Sequence, residues 1–362
     1  MTARAYDPAA RRQTPLALKL AARIRRDGPM PVADYVRACL HDPVHGYYRS
    51  RPAIGAAGDF ITAPEISQVF GELIGLWCVV AWQQMGTPRP VHLVELGPGR
   101  GTLMRDALRA ARVVPAFLDA VKVMLVETNA TLRLIQQATL AASTVPLGWR
   151  SVLGPAGLAG APVLFIANEY LDVLAPSQLV LQGGAWTQRL VTLDAAGHLA
   201  FADLGEVRER WTDWGALREL LTSAEPVAGL MIDYGHERSA PGDTLQAVRD
   251  HAYEHPLTSP GEADLTCQVD FEQLGAFLVG LPGIAVDGPV TQTEFLGRLG
   301  ILERASLLMA ANPRQAAAIE AGVARLMAPN GMGGRFKAIG VRSAPLPPLP
   351  GLARVDTRAG AP

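Results

Sequence analysis

The feature that most constrains this chain is the run VHLVELGPGRGTL at residues 91–103. Its first half is a short continuous apolar stretch of the kind that forms a buried parallel strand. Its second half sets Gly97, Gly99 and Gly101 directly after that strand and before a helical pattern. Gly97 and Gly99 permit a tight turn and let a ligand approach the backbone with no Cβ in the way. The helix that follows offers free amide donors and a positive dipole end. Strand, glycine turn and helix in that order call for a parallel sheet that binds something at the strand's carboxyl end.

The alternation continues downstream. A helix at 102–111, a strand VKVMLVE (121–127), a helix at 130–141 and a strand VLFIAN (163–168) follow, then a helix around 205–223, a strand VAGLMIDYG (227–235) and a last strand FKAIGV (336–341). This order predicts an α/β fold: a doubly wound, mostly parallel sheet with right-handed crossovers. Residues 177–202 read as antiparallel hairpin strands, with turns at Gly183–Gly184 and Ala196–Gly197. A helix is expected from near Pro64 to about Gln84. The expected division is a helical N-terminal segment and lid at 1–88, the core with its hairpin insertion at 89–235 and a helical insertion or substrate region at 236–330. The last core strand at 331–345 and a Pro-rich tail at 346–362 complete it.

Composition narrows the partners. The chain has 362 residues, with 33 Lys and Arg against 34 Asp and Glu, a formal net charge of −1. That balance argues against a nucleic-acid partner, which calls for a basic surplus. Hydrophobic residues at 49% supply a substantial core. The longest apolar run, 73–82, is about half a membrane span, so no membrane insertion is expected. Cys39, Cys78 and Cys267 have no CxxC spacing, and Pro43 between His41 and His45 breaks a helical metal pair, so neither a disulfide framework nor a metal is expected. No charged-then-apolar signal segment opens the chain, and the expectation is a bacterial cytoplasmic protein.

Glycine spacing selects the cofactor class. A dinucleotide fingerprint, G-x-G-x-x-G, needs its third glycine where this chain has Thr102; the run is E-x-G-x-G-x-G instead. Dehydrogenase chemistry is therefore disfavoured. The next strand ends in Glu127, whose carboxylate can accept both hydroxyls of a ribose. Glu95 either faces the ligand or braces the loop. NEYLD (168–172) follows the VLFIA strand and brings Asn168, Glu169 and Asp172 to the ligand edge of the sheet. Two carboxylates there suit a cation. A guanidinium binds carboxylates bidentately, and an ionised acid can orient its nitrogen and help it shed a proton. Asp172 has the alternative of capping the following helix. GDFITAPEIS (58–67), with Asp59 and Glu65, reads on its own as a capped loop-to-helix entry, and IDYGH (232–236) puts Asp233 on the same edge as Glu169.

The strings DPVHGYY (42–48), GDFITAPEISQVFGELIGLW (58–77), VELGPGRGTLMRD (94–106), ANEYLDVLAPSQ (167–178), IDYG (232–235), PGEADLTCQVDF (260–271) and TQTEFLGRLGI (291–301) occur in this order. In them the chain resembles the MidA-like family of class I S-adenosylmethionine-dependent methyltransferases, over roughly residues 15–342. It departs from the family pattern at Ala63, where Ser is usual, and at Leu174–Ala175–Pro176, where Leu-Pro is usual. Those positions bear on substrate choice more than on cofactor use.

The resemblance implies S-adenosyl-L-methionine as cofactor and a Rossmann-like core with a helical N-terminal segment and a helical insertion. It also implies a protein substrate carrying an arginine, as in the family's mitochondrial complex I assembly factor, which makes symmetric ω-N-dimethylarginine on a complex I subunit. In that reading Glu95, Gly97, Gly99, Gly101, Glu127 and Asn168 hold the cofactor. Glu169 and Asp172 grip the guanidinium, with Asp59 and Glu65 of the lid as further candidates. An assembly chaperone that only binds the cofactor and a small-molecule methyltransferase are the alternatives.

Overall fold

The computed structural model of the protein describes residues 6–50, 62–154, 157–205 and 214–353. The chain forms two compact units that interleave along the sequence. One draws on 1–60, 172–215 and 241–268, the other on 61–171, 216–240 and 269–362.

In the first unit, helices Pro15–Asp27 and Val32–His41 pack apolar faces (Leu16, Leu20, Ile24, Tyr35, Val36, Leu40) against Val191, Leu199, Leu257 and Leu265. Thr14 caps the first helix by accepting from the Ala17 amide, with Pro15 opening it. The expected hairpin is present as antiparallel strands Leu179–Gln182, Ala185–Leu193 and Leu199–Gly205, with Met30–Pro31 added at one side. A second small sheet joins Gln246–Arg249, Ala252–Glu254 and Asp264–Thr266. It lies in a stretch expected to be loop and helix, because runs of three or four residues are too short for either periodicity to register.

The second unit carries the large sheet. Its strands are β1 (Val91–Leu96), β2 (Val121–Val126), β3 (Leu147–Arg150), β4 (Val163–Asn168), β5 (Val227–His236), β6 (Ile284–Thr291) and β7 (Phe336–Ser343), in spatial order β6-β7-β5-β4-β1-β2-β3. β7 runs antiparallel to both neighbours, and the pairs from β5 through β3 are parallel. All six residues of β4 are buried, as a strand covered on both faces must be. The doubly wound, mostly parallel α/β sheet is therefore present; edge strands β3 and β6 and an eighth short strand, Val269–Asp270, paired parallel to β5, lie beyond those expected. The chain leaves β1 toward β2 on one side and returns to β4 on the other, so the switch point of the sheet lies between β1 and β4.

Helix α1 (Gln68–Gln84) precedes β1, helix α2 (Thr102–Ala110) follows it, and helix α3 (Ala130–Thr139) follows β2. The helix expected from Pro64 onward is broken. A single turn, Ala63–Ile66, ends at Ser67, which is extended (φ −152°) and caps α1, its hydroxyl oxygen accepting from the Val69 amide at 3.3 Å. Further along the chain, Gly215–Ser223 is helical, and 206–213 lie outside the described residues.

Helices α1 and α2 cross closely at Gly75, where a Cβ would stand 2.3 Å from the Ala107 carbonyl oxygen. Buried charges lock the crossing. Glu72 takes Arg109 at 2.8 Å and Arg304 at 2.7 Å, and Asp106 takes Arg109 at 2.7 Å. Replacing Gly75 by Ala would force α2 away from α1. The variant is expected to lose about 1–3 kcal/mol of stability, read as a lowered melting temperature, and to weaken ligand binding at the loop that α2 carries.

Candidate functional site

β1 delivers the chain to a turn with three left-handed residues. Gly97, Gly99 and Gly101 have φ of 63°, 52° and 80°, a region in which an L side chain is strained. Gly101 is also the N-cap of α2 and supplies no capping side chain, so the first amides of that helix are open to a ligand. Tyr170 bounds the turn: a Cβ on Gly97 would come within 3.0 Å of its ring.

Glu127, just beyond β2, is held from two sides. Its Oε1 accepts from the Asn129 amide at 2.7 Å and its Oε2 from Gln136 Nε2 at 3.3 Å. Burial raises its pKa, and these bonds hold the rise back. Gln136, on α3, is 0% exposed. Its Nε2 also donates to the Gly99 carbonyl at 2.7 Å, and its Oε1 accepts from Trp149 Nε1 at 2.9 Å. One buried amide thus ties the glycine turn to the Glu127 carboxylate. Sequence reading missed it. The available signal is its place four residues after buried Leu132, a polar side chain on the apolar stripe of α3.

At the end of β4, Glu169 is itself left-handed (φ 52°). Its Oε1 accepts from the Ala63 amide at 3.0 Å and from Asn168 Nδ2 at 3.1 Å. The residue as a whole is partly exposed, and burial of its carboxyl pushes the pKa up to about 7. Glu65 accepts from the Thr102 hydroxyl at the start of α2. The Ala63–Ile66 turn is therefore pinned to β4 at one end and to α2 at the other, and Glu65 braces that link.

On β1 and β4, two buried side-chain acceptors face no donor among the described residues: Oε2 of Glu95 and Oδ1 of Asn168. Burial pushes the Glu95 carboxyl up to about 8. An open helix start, a carboxylate suited to a diol, and unpartnered acceptors suited to an ammonium together fit a nucleoside bearing an amino acid.

The remaining candidates are placed differently. Asp172 belongs to the other compact unit, where it is buried, its carbonyl accepts from the Cys267 amide at 3.0 Å, and its charge faces Tyr48. Asp59 lies outside the described residues. Glu95, Gly97, Gly99, Gly101, Glu127, Asn168, Glu169 and Glu65 all belong to the second unit.

A family model described as S-adenosyl-L-methionine-dependent methyltransferase matches residues 73–218 and 204–290. The chain is 34% identical to the Homo sapiens protein named protein arginine methyltransferase NDUFAF7, mitochondrial, over 91% of this chain and 84% of that one. It is 35% identical to the Drosophila melanogaster homologue, over 89% and 83%. It shares its fold with a Burkholderia thailandensis protein whose crystal structure holds S-adenosyl-homocysteine, at a TM-score of 0.82 and 24% identity over 96% and 98% of the two chains. The expectation of a bacterial cytoplasmic protein is corrected by these findings, since the animal relatives that match most of the chain are mitochondrial. Among the described residues no helix is long and apolar enough to cross a membrane.

Gln136→Leu removes both ties of the amide. Affinity for S-adenosylhomocysteine, measured by calorimetry, is expected to fall about tenfold, the equivalent of one or two hydrogen bonds. Glu95 makes a second prediction. Its folded pKa of about 8 lies above the ordinary 4.5, so its contribution is most favourable in acid and is lost as pH rises toward 8. Glu95→Gln lacks that loss. The melting temperature of the variant should therefore gain on the parent steadily between pH 5 and pH 8 and no further above it.

Proposed function

The chain belongs to a family of S-adenosyl-L-methionine-dependent methyltransferases, and from that premise we propose that its substrate is an arginine guanidinium in a protein, a subunit of respiratory complex I. The observation that carries the proposal is Glu169: a carboxylate at the switch point of the sheet, held by the Ala63 amide in the same unit as the glycine turn. The relatives named as protein arginine methyltransferases support the choice of arginine, and the MidA-like resemblance supports complex I as its carrier.

The open start of α2 and the glycine turn receive the carboxylate end of the cofactor. Glu95 and Asn168 offer their unpartnered oxygens to its ammonium, and Glu127 takes the ribose hydroxyls. When bound, the cofactor supplies a methyl group already activated by its sulfonium. The chain's own work is alignment and electrostatics. Ionised Glu169 accepts guanidinium N–H bonds and points one nitrogen along the line of transfer. A carboxylate titrating near neutrality is matched to take the proton that the methylated nitrogen sheds.

Glu169 must be ionised to grip a cation. Since its pKa is about 7, kcat/KM is expected to rise with pH through that value and level above it. Glu169→Gln should lose this limb and on the order of a hundredfold in kcat/KM while keeping its affinity for S-adenosylhomocysteine. Incubation with labelled cofactor and complex I subunits, followed by mapping of the label, should find it on an arginine. Label on other residue types only, or none, would remove the arginine reading.

A further inference from the structure

Glu169 is a left-handed residue that is not glycine, and such a conformation persists only where its surroundings over-determine it. The surroundings here are the end of β5. The Glu169 amide donates to the Ile232 carbonyl at 2.9 Å. The next two amides, of Tyr170 and Leu171, both donate to Oδ2 of Asp233, at 3.1 and 2.8 Å. Oδ1 of Asp233 accepts from the Tyr234 amide at 2.9 Å. Asp233 is 0% exposed. A left-handed residue turns the amides after it toward a common point, the concavity that elsewhere binds anions. In this protein the anion is a side chain from the neighbouring strand. Lys337, opposite Asp233 on β7, gives its ammonium to the Gly334 carbonyl at 2.6 Å.

The anchored turn carries two groups. One is the Glu169 carboxylate, set against the Ala63 amide and Asn168. The other is the Tyr170 ring, set against Gly97 of the glycine turn.

We propose that Asp233 is a positioning residue for methyl transfer, holding residues 169–171 so that Glu169 faces the substrate while Tyr170 closes on the glycine turn. A single buried carboxylate thereby couples the substrate side of the site to the cofactor side. The substrate half rests on the assignment of Glu169 under Proposed function; the cofactor half does not.

The test uses the full chain with Asp233→Asn, which keeps the shape of the side chain and removes its charge. In the folded protein kcat is expected to fall on the order of a hundredfold, the effect of a misplaced reacting group, with KM for the protein substrate changed less. S-adenosylhomocysteine should bind several-fold more weakly. At saturating cofactor, Asp233→Asn combined with Glu169→Gln should have a kcat no lower than Glu169→Gln alone, because on the substrate side the two act in series. Losses that multiply would overturn the substrate half, as would a lowered melting temperature with unchanged kcat and unchanged S-adenosylhomocysteine affinity. If Glu169→Gln keeps the parent's kcat/KM, the assignment of Glu169 fails and takes the substrate half with it. Weakened S-adenosylhomocysteine binding by Asp233→Asn would in that case still support the cofactor half. Should Asp233→Asn not fold, Tyr170→Leu leaves the anchored amides in place and removes the ring. Parent-like S-adenosylhomocysteine affinity in that variant would overturn the cofactor half.

Discussion

The site depends on a property of buried parallel strands: they end side by side, and the chain must leave each end through a turn that the sheet cannot satisfy. β1 leaves through three left-handed glycines, and β4 leaves through left-handed Glu169. The amides freed in these turns point away from the strands. After β1, Gly97 and Gly101 give theirs to the Val126 and Pro98 carbonyls, and the start of α2 has no side-chain cap; after β4 they are taken by Asp233. One solution makes a binding surface and the other makes a support. They sit on neighbouring strands, β1 and β4, across the switch point.

The support extends behind the glycine turn. Helix α2 is the turn's backing, and it is fixed to α1 by the backbone approach at Gly75 and by the ion pair of Arg109 with buried Glu72. Burying such charges yields little net stability, but their directed bonds leave the helix a single register. Gln136 does the same from the other side, through two donors and one acceptor that admit no sliding of α3 against the loop. A ligand that touches backbone at this turn meets a surface already arranged, so little of its binding energy is consumed in ordering the protein.

Much of this was legible in the sequence, and the parts that were not share a cause. The apolar runs at 91–96, 121–126, 163–168 and 227–235 announced the parallel strands, and the glycine spacing announced the kind of ligand, because both are local patterns. β3 and β6 escaped notice. Each lies at an edge of the sheet, and half-covered residues show neither a continuous apolar run nor clean alternation. The support given by Asp233 was invisible for another reason. The carboxylate stands more than sixty residues from the amides it holds, and sequence adjacency reveals only its strand end. The same limit separated Asp172 from Glu169. Three positions apart in the chain, they fall in different compact units, and no local pattern marks that boundary.

The place of β7 bears on how the molecule comes to be made. This strand, Phe336–Ser343, lies between β5 and β6, both of which precede it in the chain. Until it emerges from the ribosome, β5 and β6 each present an unpaired edge to the cell, and the half of the sheet that carries Asp233 stays open. The interleaving of the two units adds to this delay: the first is complete in the chain at residue 268, whereas the second still lacks β7 at that point. A chain with so many distant partners folds slowly and exposes sticky edges while it waits. The strand order thus leaves the completion of the sheet to one of the last segments of the chain to be made.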